Sequence, residues 1–192
     1  MEKAVHWTVP NLLTLGRVLA APLVAMSFVV FDRPTADRVA LVLFVLASLT
    51  DFLDGWLARR WNQVSDLGRM LDPVADKAMV VIALATLIGL TGLDWLVLLP
   101  AVFILLREVL VSGLREFLGA VKLHVTPLAK WKTAVQMCAI ALLFLAGGLT
   151  GAFADTLYGI GIVGLWLASV LTVATGIDYF ARAMGYLAGK GA

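Results

Sequence analysis

Asp51-Phe52-Leu53-Asp54-Gly55-Trp56-Leu57-Ala58-Arg59, followed after eight intervening residues by Gly68-Arg69-Met70-Leu71-Asp72-Pro73-Val74-Ala75-Asp76-Lys77, sets four aspartates inside otherwise apolar sequence. A carboxylate in such surroundings costs a few kcal/mol on membrane-insertion scales, so several together call for a partner. Helix geometry gathers them. Relative to Asp51, Asp54 lies about 60° around a helix, Gly55 about 40° and Ala58 about 20°. That face carries two carboxylates among small residues, which allow a neighbouring helix or a headgroup to approach closely. Gly68, Asp72 and Asp76 follow one another at about 40°, again on one face. The turn between the two helices is short, so they are expected to be antiparallel neighbours whose acidic faces meet.

Like charges held together repel unless a cation lies among them or protons are taken up. Carboxylates alone offer oxygen donors, which favour hard ions such as Mg²⁺ or Mn²⁺. His6 and His124 lie far from the aspartates in sequence, and Cys138 is the one cysteine, so nothing suggests zinc. Four carboxylates could hold two ions, an arrangement suited to phosphoryl displacement. A lone aspartate here would be read as a cap or as the partner of Arg59, Arg60 or Lys77.

The surrounding sequence fixes the solvent. Of 192 residues, 61% are hydrophobic, and the mean hydropathy is +0.96. A soluble domain is nearer 45–50% apolar, so an all-α bundle in lipid is expected, as one domain over residues 1–192. Six stretches approach the roughly 20 apolar residues a spanning helix needs. They run near Pro10–Phe31, Thr35–Arg60, Met70–Gly92, Asp94–Leu118, Leu128–Leu149 and Thr156–Tyr186. The first is too long for a signal peptide's apolar segment. With both termini cytoplasmic, thirteen Lys and Arg lie on or lean toward the cytoplasmic side, and only Arg33 and Arg38 fall outside. Cys138 excludes an intramolecular disulfide. Trp7, Trp56, Trp61, Trp95, Trp131 and Trp166 fall mostly near span ends, as interfacial anchors do. Gly147, Gly148, Gly159, Gly161 and Gly164 suit helix packing, and Asp178 is placed to pair with Arg182.

From Asp51 to Asp76 the chain reads D-x2-D-G-x2-A-R-x8-G-x3-D-x3-D. This resembles the signature of the CDP-alcohol phosphotransferases, integral membrane enzymes of phospholipid synthesis. Pro10-Asn11 with Thr14 and Arg17, Arg107-Glu108, Arg115-Glu116, and Lys130-Trp131-Lys132-Thr133 with Gln136 look like the branch that makes phosphatidylglycerophosphate. The resemblance implies a homodimeric six-helix bundle of the bacterial inner membrane, with a polar cavity open to the cytoplasm. It implies CDP-diacylglycerol as donor, sn-glycerol 3-phosphate as acceptor and two Mg²⁺ or Mn²⁺ ions. On it, Asp51, Asp54, Asp72 and Asp76 bind metal, and Asp76 is also the general base. Asn11, Thr14, Arg17, Gly55, Ala58, Arg59 and Gly68 would surround the CDP-lipid.

Chemistry supports these roles independently. A hydroxyl is a poor nucleophile at neutral pH, and a nearby carboxylate is a suitable base. Fixed cations stabilise charge moving onto a CMP leaving group. Arg107 and Arg115, about 80° apart on one helix, together with Lys132, are candidates for the phosphate of the acceptor, since arginine binds phosphate through paired hydrogen bonds. Two other readings fit parts of the pattern. The acceptor could be inositol phosphate or phosphatidylglycerol, or the aspartates could form the ion path of a divalent-cation transporter. Against transport, the aspartates gather at one membrane face and the later spans carry no matching acids.

Overall fold

A computed structural model describes residues 8–60, 65–119 and 127–188; within these, the side chains at 10, 52, 54–59, 66, 67, 69 and 127–130 lie outside the description. The described residues form helices α1 (Val9–Val30), α2 (Thr35–Arg60), α3 (Asp66–Leu90), α4 (Trp95–Leu118), α5 (Pro127–Gly147) and α6 (Ala152–Leu187). The all-α expectation holds. Among the described residues, four stretches are long and apolar enough to cross a membrane: Asn11–Val30, Met70–Leu90, Trp95–Leu118 and Ala152–Leu187. Trp131–Gly147 is a shorter apolar helix. The chain is thus built as a multi-pass membrane protein is.

Local chemistry sets the helix ends. Thr8 caps α1, accepting from the Asn11 N–H at 3.4 Å, and Asp94 caps α4, accepting from the Leu96 N–H at 3.1 Å. Helix α3 begins four residues before the expected apolar span, because Ser65 accepts from the Gly68 N–H at 2.9 Å and starts a polar first turn. The α3–α4 turn places Gly92 and Leu93 at positive φ, and α4 ends on Gly119 at φ 56°.

The chain divides into two compact units, residues 1–87 with 141–158 and residues 88–140 with 159–192. In the first, α1 buries one stripe that changes character along its length: Asn11, Thr14 and Arg17, then Ala21, Val24 and Ser27. Leu12, Leu19, Leu23 and Val29 face outward. Helix α2 buries Ala36, Ala40, Phe44 and Ala47, a small-residue face that lets neighbours approach closely. Phe144 stacks on Phe28 at 6.1 Å and meets Phe44 edge-on at 6.2 Å. Asp37 is 1% exposed and accepts from Arg33 Nε at 2.6 Å, directly against Gly147. Arg38 Nε donates to the Gly148 carbonyl at 2.8 Å.

In the second unit, Trp166 Nε1 donates to the Leu96 carbonyl at 3.0 Å, and Gly164 packs against Ala139. Gly147, Gly148 and Gly164 thus serve packing as their sequence context suggests, whereas Gly159 has open space around it. Asp178 accepts from Arg182 at 3.1 Å, the expected pair.

A Cβ at Gly147 would overlap the Asp37 carboxylate and the Arg33 guanidinium, whereas one at exposed Gly89 would meet nothing within 4 Å. Gly147→Ala is expected to destabilise by about 1–3 kcal/mol, as overpacking does. Gly89→Ala should leave the detergent-solubilised melting temperature unchanged or higher. Equal melting temperatures for the two variants would contradict the packing described for Gly147.

Candidate functional site

Helices α1, α2 and α3 bring together residues far apart in sequence. Arg17 on α1 is 2% exposed, and its guanidinium is the meeting point. Its Nη1 donates to Asp51 Oδ1 on α2 and, at 2.6 Å, to Asp76 Oδ1 on α3. Nη2 lies 3.7 Å from Asp72 Oδ1, which also accepts from the Thr14 hydroxyl at 2.8 Å. The three carboxylate side chains remain about half exposed, at 49%, 46% and 53% for Asp51, Asp72 and Asp76. Arginine's planar fork allows one buried cation to serve several carboxylates.

The placement follows from helical spacing. Thr14 and Arg17 lie on the buried stripe of α1, Asp51 extends the Ala40–Phe44–Ala47 face of α2 by one turn, and Asp72 and Asp76 are one turn apart on α3. The predicted meeting of acidic faces is therefore present. The cation seen among them is an arginine from a third helix, and sequence reading placed Arg17 beside the nucleotide instead.

One turn nearer the start of α1, Asn11 Oδ1 accepts from the Ser65 hydroxyl at 2.7 Å. A Cβ at Gly68 would lie 2.8 Å from that oxygen, so the glycine leaves room for Asn11. Ser65 was not singled out from sequence, although a serine just before a helix start is a recognisable cap. Asp54, Gly55, Ala58 and Arg59 lie on α2, with side chains outside the described part of the structure. Among the described residues, no group of three or more His, Cys, Asp or Glu is arranged around a metal position, and Asp54 is not in that set.

The second unit holds the other predicted charges. Glu108 Oε1 accepts from Lys132 Nζ at 2.6 Å and from Arg107 Nη1 at 3.1 Å. Lys132 is 4% exposed. Arg115 has its guanidinium 5.5 Å over the Tyr179 ring. A Cβ at Gly176 would lie 3.1 Å from Arg107 Cγ, so α6 has a glycine where the arginine stem passes. Sequence reading missed Gly176, which carries no local signal. A cavity of about 370 Å³ beside Arg107 is lined otherwise by apolar groups, among them Phe103, Leu106, Leu110, Ile177 and Phe180. Such a lining suits hydrocarbon rather than a phosphorylated alcohol.

Residues 7–174 match the family described as CDP-alcohol phosphatidyltransferase. A protein of Cereibacter sphaeroides is 48% identical, covering 95% of this chain and 98% of its own. One from Rickettsia bellii is 43% identical over 92% and 96%, and one from Haemophilus influenzae 34% over 94% and 96%. All three are named CDP-diacylglycerol–glycerol-3-phosphate 3-phosphatidyltransferase.

The Arg17 geometry generates a prediction. Arg17→Gln leaves Asp51, Asp72 and Asp76 without their shared cation. The half-exposed carboxylates are partly relieved by water, so the expected loss is about 1–2 kcal/mol, below that of a fully buried pair. Added Mg²⁺ or Mn²⁺ should raise the melting temperature of this variant more than that of the parent, because an ion replaces the missing charge. Equal metal-induced shifts would show that Arg17 and the ion do not serve the same carboxylates.

Proposed function

The chain belongs to the CDP-alcohol phosphatidyltransferase family, and from that premise we propose that it transfers the phosphatidyl group of CDP-diacylglycerol to sn-glycerol 3-phosphate, forming phosphatidylglycerophosphate and CMP. The observation that carries this reading is the convergence of Asp51, Asp72 and Asp76 on Arg17 within the matched region. The names of relatives covering more than nine-tenths of the chain support the substrates.

Asp51, Asp54, Asp72 and Asp76 would hold Mg²⁺ or Mn²⁺, as one ion or two. The donor set fits, since these side chains offer only oxygen and the three described ones already turn toward one positive group. A bound ion would supply Lewis-acid stabilisation of charge on the transferring phosphate and the departing CMP. Asp76 takes the proton from the attacking hydroxyl, and Arg17 fixes the direction of its carboxylate. Thr14 does the same for Asp72. Asn11, Thr14, Arg17, Gly55, Ala58, Arg59 and Gly68 border the CDP-lipid; Gly55 and Ala58 leave space for it, Gly68 leaves room for Asn11, and Arg59 adds positive charge near the diphosphate.

Arg107, Lys132 and Arg115 receive the acceptor phosphate. Glu108 offsets one charge of the Arg107–Lys132 pair, so the trio keeps a net positive charge toward an anion. We further read residues 1–192 as one domain, since the family match runs through both units. Six membrane-spanning helices, cytoplasmic termini, a cavity open to the cytoplasm, an inner-membrane location and a homodimer complete the proposal. The distribution of basic residues supports the orientation.

Purified protein in detergent should release CMP from CDP-diacylglycerol in the presence of Mg²⁺ or Mn²⁺ and glycerol 3-phosphate. Release with inositol phosphate or phosphatidylglycerol instead would move the acceptor assignment, and release with none would remove the transferase reading. Arg107→Ala should raise the KM for glycerol 3-phosphate roughly 10- to 100-fold, the value of a charge-assisted hydrogen bond, with the KM for CDP-diacylglycerol within about twofold. Equal effects on the two substrates would detach Arg107 from the acceptor.

A further inference from the structure

Among the described residues of the second unit, Arg107 Nε, Gln136 Oε1 and Thr172 Oγ1 are buried without a hydrogen-bond partner. Gln136 is 2% exposed and Thr172 0%. An unsatisfied buried polar group costs about 1–3 kcal/mol. Apolar side chains of similar size would fill both positions at no such cost, so a glutamine and a threonine there call for something to bind.

Their location narrows what that is. Gln136 lies one turn along α5 from Lys132, which meets Glu108 and, through it, Arg107. Thr172 lies one turn along α6 from Gly176, the residue against the Arg107 stem. Gln136 is thus about 6 Å along α5 from Lys132, and Thr172 about 6 Å along α6 from the residue beside the Arg107 stem. Cations at one level and neutral hydrogen-bonding groups one turn away match a small molecule with phosphate at one end and a hydroxyl further along.

We propose that Gln136 and Thr172 recognise the middle hydroxyl of a phosphorylated triol, the hydroxyl that does not react, while Arg107 and Lys132 hold its phosphate; this rests on the transferase reading above. The pairing is chemically complete. The alcohol O–H donates to Gln136 Oε1, and its oxygen accepts from the Thr172 hydroxyl. The Arg107 Nε–H is then available to a phosphate oxygen. In a three-carbon phosphate the phosphorus and the middle hydroxyl are roughly 4–5 Å apart by ordinary bond lengths, close to one helical turn.

The test compares glycerol 3-phosphate with 3-hydroxypropyl phosphate, which keeps the phosphate and the reacting hydroxyl but lacks the middle one. The unmodified enzyme should prefer glycerol 3-phosphate about 100-fold or more in kcat/KM, as sites built around a substrate hydroxyl do. Thr172→Val and Gln136→Met should each lower kcat/KM for glycerol 3-phosphate about 10- to 100-fold, leave the deoxy acceptor within about threefold, and leave the KM for CDP-diacylglycerol unchanged. Thr172→Ser should restore the preference. Equal losses on both acceptors would assign the two residues to packing and overturn the proposal. The comparison on unmodified enzyme involves no risk of misfolding, and absence of discrimination there also overturns it. Turnover of neither acceptor by unmodified enzyme defeats the transferase reading itself, a result distinct from turnover without discrimination.

Discussion

Asp51, Asp72 and Asp76 meet at one guanidinium, that of Arg17, which is almost fully buried. Carboxylates in apolar surroundings cannot remain ionised and adjacent without a compensating charge. Arg17 supplies part of it from inside the helix cluster, and the half-exposed carboxylates leave an open side through which further positive charge can enter. Internal cation and open side together distinguish this arrangement from a closed structural ion pair. A closed pair would bury both partners and satisfy every oxygen.

This convergence depends on how each helix distributes its residue types. The buried stripe of α1 begins with Asn11, Thr14 and Arg17 and passes into Ala21 and Val24. Helix α2 runs the other way, from its alanine face to Asp51, so polar and apolar levels coincide between the two helices. Apolar contacts such as Phe144 with Phe28 and Phe44 fix the register of the first unit, and the alanine face allows the close approach on which short bonds at the polar level depend. The Arg33–Asp37 pair, with Gly147 beside it and Arg38 bonded to Gly148, holds this unit beyond the start of α2. A shift of one helix by a single residue would turn Arg17 about 100° away from its partners.

What the sequence made legible follows the range of each interaction. Asp72 and Asp76 share a face because they are one turn apart, and short-range periodicity reports such relations directly. The six helices were legible for the same reason, apart from the first turn of α3, where the Ser65 cap extends the helix beyond the apolar stretch, and the first turn of α6, which begins at Ala152 rather than Thr156. Arg17 meeting Asp51 and Asp76, 34 and 59 residues away, is a tertiary fact with no local signature. Gly147 was read as a packing glycine, but the reason it must be one lies on α2. Gly176 was invisible for the same reason, since only the Arg107 stem on another helix requires it. The spacing of Asp51 and Asp54 was legible too, although the side chain of Asp54 is outside the described structure.

In the second unit, two cations share one acid. Arg107 and Lys132 both donate to the same oxygen of Glu108, which holds two cations close together on one negative charge. In a partly dehydrated setting their mutual repulsion is weakly screened, and the trio keeps one uncompensated positive charge. Replacing Glu108 with a neutral group would raise that repulsion; adding a second fixed acid would cancel the attraction for anions. One acid between two bases is the composition that keeps both cations in place and still favours an incoming anion. A phosphate also has enough oxygens to accept from both cations without displacing Glu108, and its charge more than offsets the cluster's single net positive charge. The unpartnered atoms of Gln136 and Thr172, one turn away, carry no charge and so cannot serve that electrostatic balance. On the proposed reading their selectivity comes from hydrogen-bond geometry, which separates the task of attracting an anion from that of choosing among anions of equal charge.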